Sequence, residues 1–154
     1  MRLLPALAAL MLALPVACHA ADRPAVSVHG LTLAPLSIAT ATGQEHRFTV
    51  EVAATEAQQQ RGLMFRTELA PDAGMIFPMK PPRFASFWMK NTIIPLDIIF
   101  IRADGTIARI AAQTTPFSLF PVDSGEPVAA VLELAGGRAA ALGIREGDRV
   151  RCKP

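Results

Sequence analysis

The chain has 154 residues, of which 51% are hydrophobic and 18% charged, and its formal net charge is +2. That composition excludes a disordered tail, which needs more charge and fewer apolar side chains. It also weighs against nucleic acid as the main partner, because such binders need a concentrated basic face.

The first 20 residues, MRLLPALAALMLALPVACHA, read as an export signal. Arg2 supplies the positive start. Residues 3–16 form an apolar run too short to span a bilayer, and Cys18-His19-Ala20 places small residues at the two positions that a signal peptidase reads. A buried core helix is a poor alternative, since Pro5 and Pro15 would interrupt it. Cleavage is expected before Ala21. Residues 21–154 then form a single β-rich domain, periplasmic or secreted, with enough chain for a real core. Loss of Arg2 lowers the net charge to +1. The alternative is a lipid anchor through Cys18, which would make the membrane a partner. Once Cys18 is removed, Cys152 is the lone cysteine and no internal disulfide can form.

In chain order, residues 31–38 suggest a first strand. Phe48, Val50 and Val52 alternate with Arg47, Thr49 and Glu51, the period-two pattern of a half-buried strand with the latter three on its polar face. Thr55 followed by Gln58 is a capping box, which predicts one short helix ending at Gly62. Residues 71–74 are turn chemistry, and 75–77 a short strand. Pro81 and Pro82 argue for a loop over 79–83. Residues 84–89 are expected as a strand, and 96–101, apolar throughout, as a strand buried on both faces. Asp104-Gly105 signals a hairpin into 106–111. An irregular stretch over 115–126 leads to a strand at 128–134. Residues 136–142 suggest one or two helical turns, and a tight turn at 143–148 feeds a last strand at 149–152. Seven or eight short strands and one short helix predict a mainly β fold (β-rich α+β), a compact sandwich or small barrel.

The informative region is 61–97. It holds Arg61-Gly62-Leu63-Met64-Phe65-Arg66, Gly74-Met75-Ile76-Phe77, Phe87-Trp88-Met89-Lys90-Asn91-Thr92 and Ile94-Pro95-Leu96-Asp97. With Val131-Leu132-Glu133-Leu134 and Gly143-Ile144-Arg145-Glu146-Gly147-Asp148, these runs resemble the bacterial and archaeal family called domain of unknown function 192 (DUF192). The resemblance covers about residues 50–150. It implies a compact β fold and frequent export, and it implies no activity.

Read by themselves, the residues suggest a shallow pocket. Alternation sends Trp88 and Lys90 to one face of their strand and Met89 to the other. Trp88 and Met64 would form the floor, and Arg61, Arg66, Lys90, Asn91 and Asp97 the rim. An aromatic face with Asn, Asp and cations suits a sugar, a small anion or a peptide end. The plainer alternative places Trp88 in the core and the charges in structural pairs. Asp97 within an apolar strand needs a partner, expected among Arg61, Arg66 and Lys90. Glu133 raises the same question.

The preferred function is binding of a small polar ligand or a cell-envelope partner, without chemistry. A hydrolase would pair Asp97 with Glu133 as acid and base, and the distance between them discriminates the two readings. A soft-metal reading would use the thioethers of Met64, Met75, Met79 and Met89 for Cu(I), with Met79 the most exposed of them. No motif calls for a cofactor: there is no Gly-rich phosphate loop, and His and Cys are too few for zinc.

Overall fold

The computed structural model describes residues 25–152. The expected export signal and the alternative lipid anchor at Cys18 lie outside the described residues. The elements in chain order are β1 (Leu33–Ala39), β2 (Glu45–Val52), α1 (Glu56–Arg61), β3 (Ala73–Arg83), β4 (Ser86–Phe87), β5 (Leu96–Ile101), β6 (Ile107–Thr114), β7 (Val122–Asp123), β8 (Val128–Ala135), α2 (Arg138–Ala141) and β9 (Arg149–Cys152). Seven strands form one sheet in the order β6-β5-β8-β3-β2-β1-β9, and β4 pairs with β7 apart from it. The fold is mainly β, as the turn spacing predicts, with one strand more than expected (β7, in the stretch read as irregular) and two short helices.

Every neighbouring pair in the sheet is antiparallel except β2 and β3, which run parallel. A parallel pair needs a crossover rather than a hairpin, and α1 lies on that crossover. Its start follows the sequence. Thr55 Oγ1 accepts the Gln58 backbone N–H at 3.2 Å, and Gln58 Oε1 accepts the Thr55 N–H at 2.9 Å.

The two edge strands of the sheet meet. Thr106 bridges Arg149, the Ile107 N–H donates to the Asp148 carbonyl at 2.8 Å, and the Val150 N–H donates to the Gly105 carbonyl at 2.8 Å. The sheet therefore closes into a small barrel through a short seam between residues 105–107 and 147–150. Asp104-Gly105 is more than a hairpin as a result. A Cβ on Gly105 would stand 2.9 Å from the Val150 carbonyl oxygen, at a φ of +86°.

Strand alternation divides the core in two. Ile38, Phe48, Val50, Ile76, Ile99, Ile101, Ile107, Leu132, Leu134 and Val150 form one cluster, drawn from all seven strands and filling the barrel. Met75, Phe77, Ile98, Phe100 and Val131 point the other way and pack under loops with Leu63, Met79 and Met89. All described strands of the sheet and both clusters are contained in a chain beginning at Ala21.

Two elements differ from expectation. Residues 79–83 continue β3 rather than forming a loop: the pairing with β2 ends at Ile76 and the pairing with β8 shifts between Pro78 and Arg83, so Pro81 and Pro82 sit where the ladder asks no donor of them. The expected strand over 84–89 shrinks to Ser86–Phe87, and residues 88–92 turn away from it.

Asp97 is fully buried and meets no cation. Its Oδ1 accepts the backbone N–H groups of Gln113 (2.8 Å) and Gly137 (2.9 Å), and its Oδ2 accepts that of Ala139 (2.8 Å). The expectation of an Arg61, Arg66 or Lys90 partner is therefore corrected: peptide donors at the start of α2 satisfy the charge instead. Gly137, the residue before α2, has no side-chain cap of its own, so Asp97 caps the helix from a strand. Asp97→Ala would leave three backbone donors unpaired, that of Ala139 buried and those of Gln113 and Gly137 partly so, and is expected to cost about 3–5 kcal/mol. Denaturant unfolding would read this as a lower midpoint at unchanged slope, and an unchanged midpoint would refute the clamp.

Candidate functional site

One cleft of about 630 Å³ opens on the outer face of the sheet. Arg61, Met64, Trp88, Lys90, Asn91 and Glu133 from the sequence reading line it, together with Gln59, Phe77, Arg83, Phe84 and Phe87. Arg66 and Asp97 do not. The expected pocket beside Trp88 thus exists with a different composition.

The helix sets one wall. Gln59 Nε2 donates to the carbonyls of Ala53 (3.1 Å) and Pro78 (3.0 Å), which ties α1 to β3. Gly62 follows at φ +47°, where a Cβ would touch the Phe77 ring at 3.4 Å. The Phe65 N–H then donates to the Asn91 carbonyl at 2.9 Å, joining the loop after α1 to the loop after β4. Phe87 packs edge-on against Phe77, with ring centroids 5.1 Å apart, and anchors the opposite wall.

Trp88 is 50% exposed and is not a core residue. Nor is it the floor. It stands on the rim with Lys90 Nζ 5.1 Å over its ring, while Met89 points inward and is buried. The facing of Trp88, Met89 and Lys90 follows the expected alternation although the strand ends at Phe87. Arg61 lies 5.7 Å over the Phe65 ring. Asn91 sits in the turn at φ +56°, a conformation its short polar side chain tolerates.

The floor includes Glu133. It is 5% exposed and pairs in register with Met75 on β3 and Ile98 on β5. Among the described residues the ion pairs are Arg47–Glu45, Arg66–Glu51 and Arg102–Glu126, and none involves Glu133. Burial pushes its carboxyl up to about 8, so it is an uncharged O–H donor at neutral pH.

The Asp97–Glu133 pair fails on geometry. Asp97 is opposite Leu134 and Glu133 opposite Ile98, so the two carboxyls leave opposite faces of the sheet, one into the barrel end and one into the cleft. The acid that shares a face with Glu133 is Glu51, which flanks Met75 from the other side, about 10 Å away by strand spacing. Glu51 is buried, against the expectation of a polar strand face, and Arg66 Nη2 holds it at 2.8 Å. Alternation alone assigned Glu51 to solvent; a partner 15 residues on, beyond α1, gave no signal in the sequence.

The methionine reading also meets the core. Met75, Met79 and Met89 are buried in the apolar outer cluster, and Met79, expected to be the most exposed, is among them. Met64 and Met79 border the cleft, and the Asn91 amide approaches the Met64 sulfur at 3.8 Å. Cys152 is half-buried against the barrel core, and burial pushes its thiol up.

These features define a closed single-sheet β-barrel with a cationic, aromatic-rimmed cleft on its outer face. The chain belongs to the domain of unknown function 192 family (DUF192), described as uncharacterized ACR, which it matches over residues 37–152. It is 48% identical to a protein of unknown function from Novosphingobium aromaticivorans DSM 12444, with a TM-score of 0.80 over 85% of this chain and 94% of that one. It is 43% identical to a Sinorhizobium meliloti 1021 protein described as a candidate transcription regulator, with a TM-score of 0.78 over 79% of this chain and 95% of that one. No curated protein matches it in sequence.

The raised Glu133 carboxyl has a consequence for stability. The folded side chain keeps its proton until about pH 8, whereas the unfolded one releases it near 4.5. Between those values the folded state binds more protons, so this group's contribution is full below the lower value and is lost as pH rises through the upper one. Glu133→Gln cannot ionise. It is expected to match the native chain in acid and to exceed it by a few kcal/mol above about pH 9. Thermal melts of both chains across pH would show this, and parallel curves would refute it.

Proposed function

We propose that this protein is exported and that the cleft beside Trp88 binds a small organic anion with a ring or other apolar body, without chemistry on it. One observation carries the reading. Arg61, Arg83 and Lys90 line the same cleft, and none of them forms an ion pair among the described residues. Cations gathered without acidic partners favour an anion. Phe84, Phe87 and Trp88 supply apolar wall, and protonated Glu133 adds a buried donor. The uncharged floor and the cationic rim act in the same sense, because an ionised Glu133 would repel the ligand.

Regulation of transcription, suggested by the Sinorhizobium relative, gains little support here. A DNA reader presents a helix or ribbon with concentrated cations, whereas α1 and α2 have 6 and 4 residues. Export rests on the first 20 residues. The intact mass of the protein from its native host is expected to correspond to a chain starting at Ala21, and a diacylated or acylated Cys18 would replace that reading with a lipid anchor.

Binding is tested by thermal shift of the chain from Ala21 against carboxylates, sugar acids, phosphate esters and peptide C-termini. A true ligand at a hundredfold excess over its Kd adds about 2.7 kcal/mol of stability. Arg61→Ala or Lys90→Ala is expected to weaken it about tenfold or more, the worth of one charge-assisted hydrogen bond. Affinity should fall as pH rises through the Glu133 value of about 8, and Glu133→Gln should remove that fall. A shift indifferent to both cation substitutions, or no shift with any anion, would sink the proposal.

A further inference from the structure

The described residues expose nine large hydrophobic side chains. Seven of them, Phe65, Phe84, Trp88, Ile93, Phe117, Leu119 and Phe120, lie on three segments, around residue 65, over 84–93 and over 117–120. Backbone hydrogen bonds join these segments: Phe65 N–H to the Asn91 carbonyl, Phe117 N–H to the Thr92 carbonyl and Met89 N–H to the Ser118 carbonyl. The apolar side chains therefore form one patch rather than isolated exposures, and a patch of this kind marks a contact surface.

The backbone beneath the patch is unusual. Among the described residues the non-glycine positions with positive φ are Phe65 (64°), Asn91 (56°), Gln113 (47°) and Phe117 (61°). A bulky residue rarely adopts that region, and Phe65 and Phe117 do so while projecting into solvent at 57% and 60% exposure. Burial inside this chain returns nothing for that conformation. Strain held on exposed aromatic residues is characteristic of a working surface.

Charge identifies the partner. Residues 61–67, 78–96 and 113–122 contain Arg61, Arg66, Lys80, Arg83 and Lys90 and not one Asp or Glu. Arg66 is occupied by Glu51, and the other four form no ion pair among the described residues. Aromatic and aliphatic side chains on loop tips, ringed by unpaired cations, match the interface of a bilayer with anionic headgroups. Trp and Phe rest there at headgroup depth while Lys and Arg draw on the surface potential. We propose that this face docks the protein onto an anionic lipid surface. No helix among the described residues is long and apolar enough to cross a membrane, so attachment through this face is peripheral. The inference goes beyond the cleft: Phe117, Leu119 and Phe120 do not line it.

The test uses the chain from Ala21, which carries every described element and lacks the apolar first segment. It is mixed with vesicles of phosphatidylcholine alone or with added phosphatidylglycerol. Trp88 is the only tryptophan and tyrosine is absent, so intrinsic emission reports on this face alone. The expected result is co-sedimentation with the anionic vesicles, a blue shift of Trp88 emission, and weakening of both by salt. Leu119→Ser/Phe120→Ser, at exposed positions where folding is preserved, should weaken partitioning roughly tenfold or more while leaving anion binding in the cleft unchanged. Phe117→Asn, which suits its positive φ, should weaken it without loss of thermal stability. Three results would overturn the proposal: no sedimentation with an unshifted emission, equal binding by the double variant, or a dimer in solution that the double variant abolishes, which would assign the face to a second copy of the chain.

Discussion

The organisation of this protein depends on a buried carboxylate satisfied by peptide groups. Asp97 lies at zero exposure within an apolar strand and accepts three backbone N–H groups, from Gln113, Gly137 and Ala139. An ionised group there would be prohibitive without partners. With them it fixes three segments at once: the end of β6, the connection after β8 and the start of α2. β5 and β8 are consequently held in the register that sets Asp97 opposite Leu134 and Ile98 opposite Glu133. The cleft floor follows from that register, because a slip of one residue would turn Glu133 into the barrel.

A second carboxylate acts similarly at the barrel's seam. Asp148 Oδ1 accepts the Ala41 N–H at 2.9 Å and its Oδ2 the Arg145 N–H at 2.7 Å. It thereby links the β1–β2 turn to the turn before β9, next to the place where the sheet closes. Both aspartates lie within the span that matches the family, residues 37–152, and both accept hydrogen bonds from backbone. The acid left without such partners is Glu133. Its burial on the outer face keeps it protonated, and it shares the cleft lining with one other acid, Glu56 of α1.

Inside the barrel the side chains are apolar and strand alternation accounts for them. The outer face is mixed. Under the loops it is a second apolar cluster, toward α1 it is the cationic cleft, and at the loop tips it is an exposed aromatic patch. The cleft and the patch share Phe84, Trp88 and the cations around them. A ligand in the cleft and a surface against the patch would therefore meet across the same rim, with Lys90 over Trp88 between them.

Much of the local structure was legible in the chain. The capping box at Thr55 and the hairpin turn at Asp104-Gly105 rest on contacts within a few residues, and local chemistry determines such elements. The strands over 96–101 and 149–152 were legible from their apolar pattern and bounding turns, although their pairing partners are remote. The cluster of Arg61, Met64, Trp88, Lys90 and Asn91 was legible as well, because its members lie on two short runs that the fold brings together. What the tertiary structure alone decided involves partners far apart in sequence. Barrel closure joins residues 105–107 to 148–150. Asp97 takes its donors from residues 113, 137 and 139, and Arg66 takes Glu51 out of solvent. The separation of Asp97 from Glu133 depends on which way each strand's pleat turns once the sheet is assembled. A sequence pattern of period two states that neighbours alternate, but only packing determines which of the two faces becomes the interior.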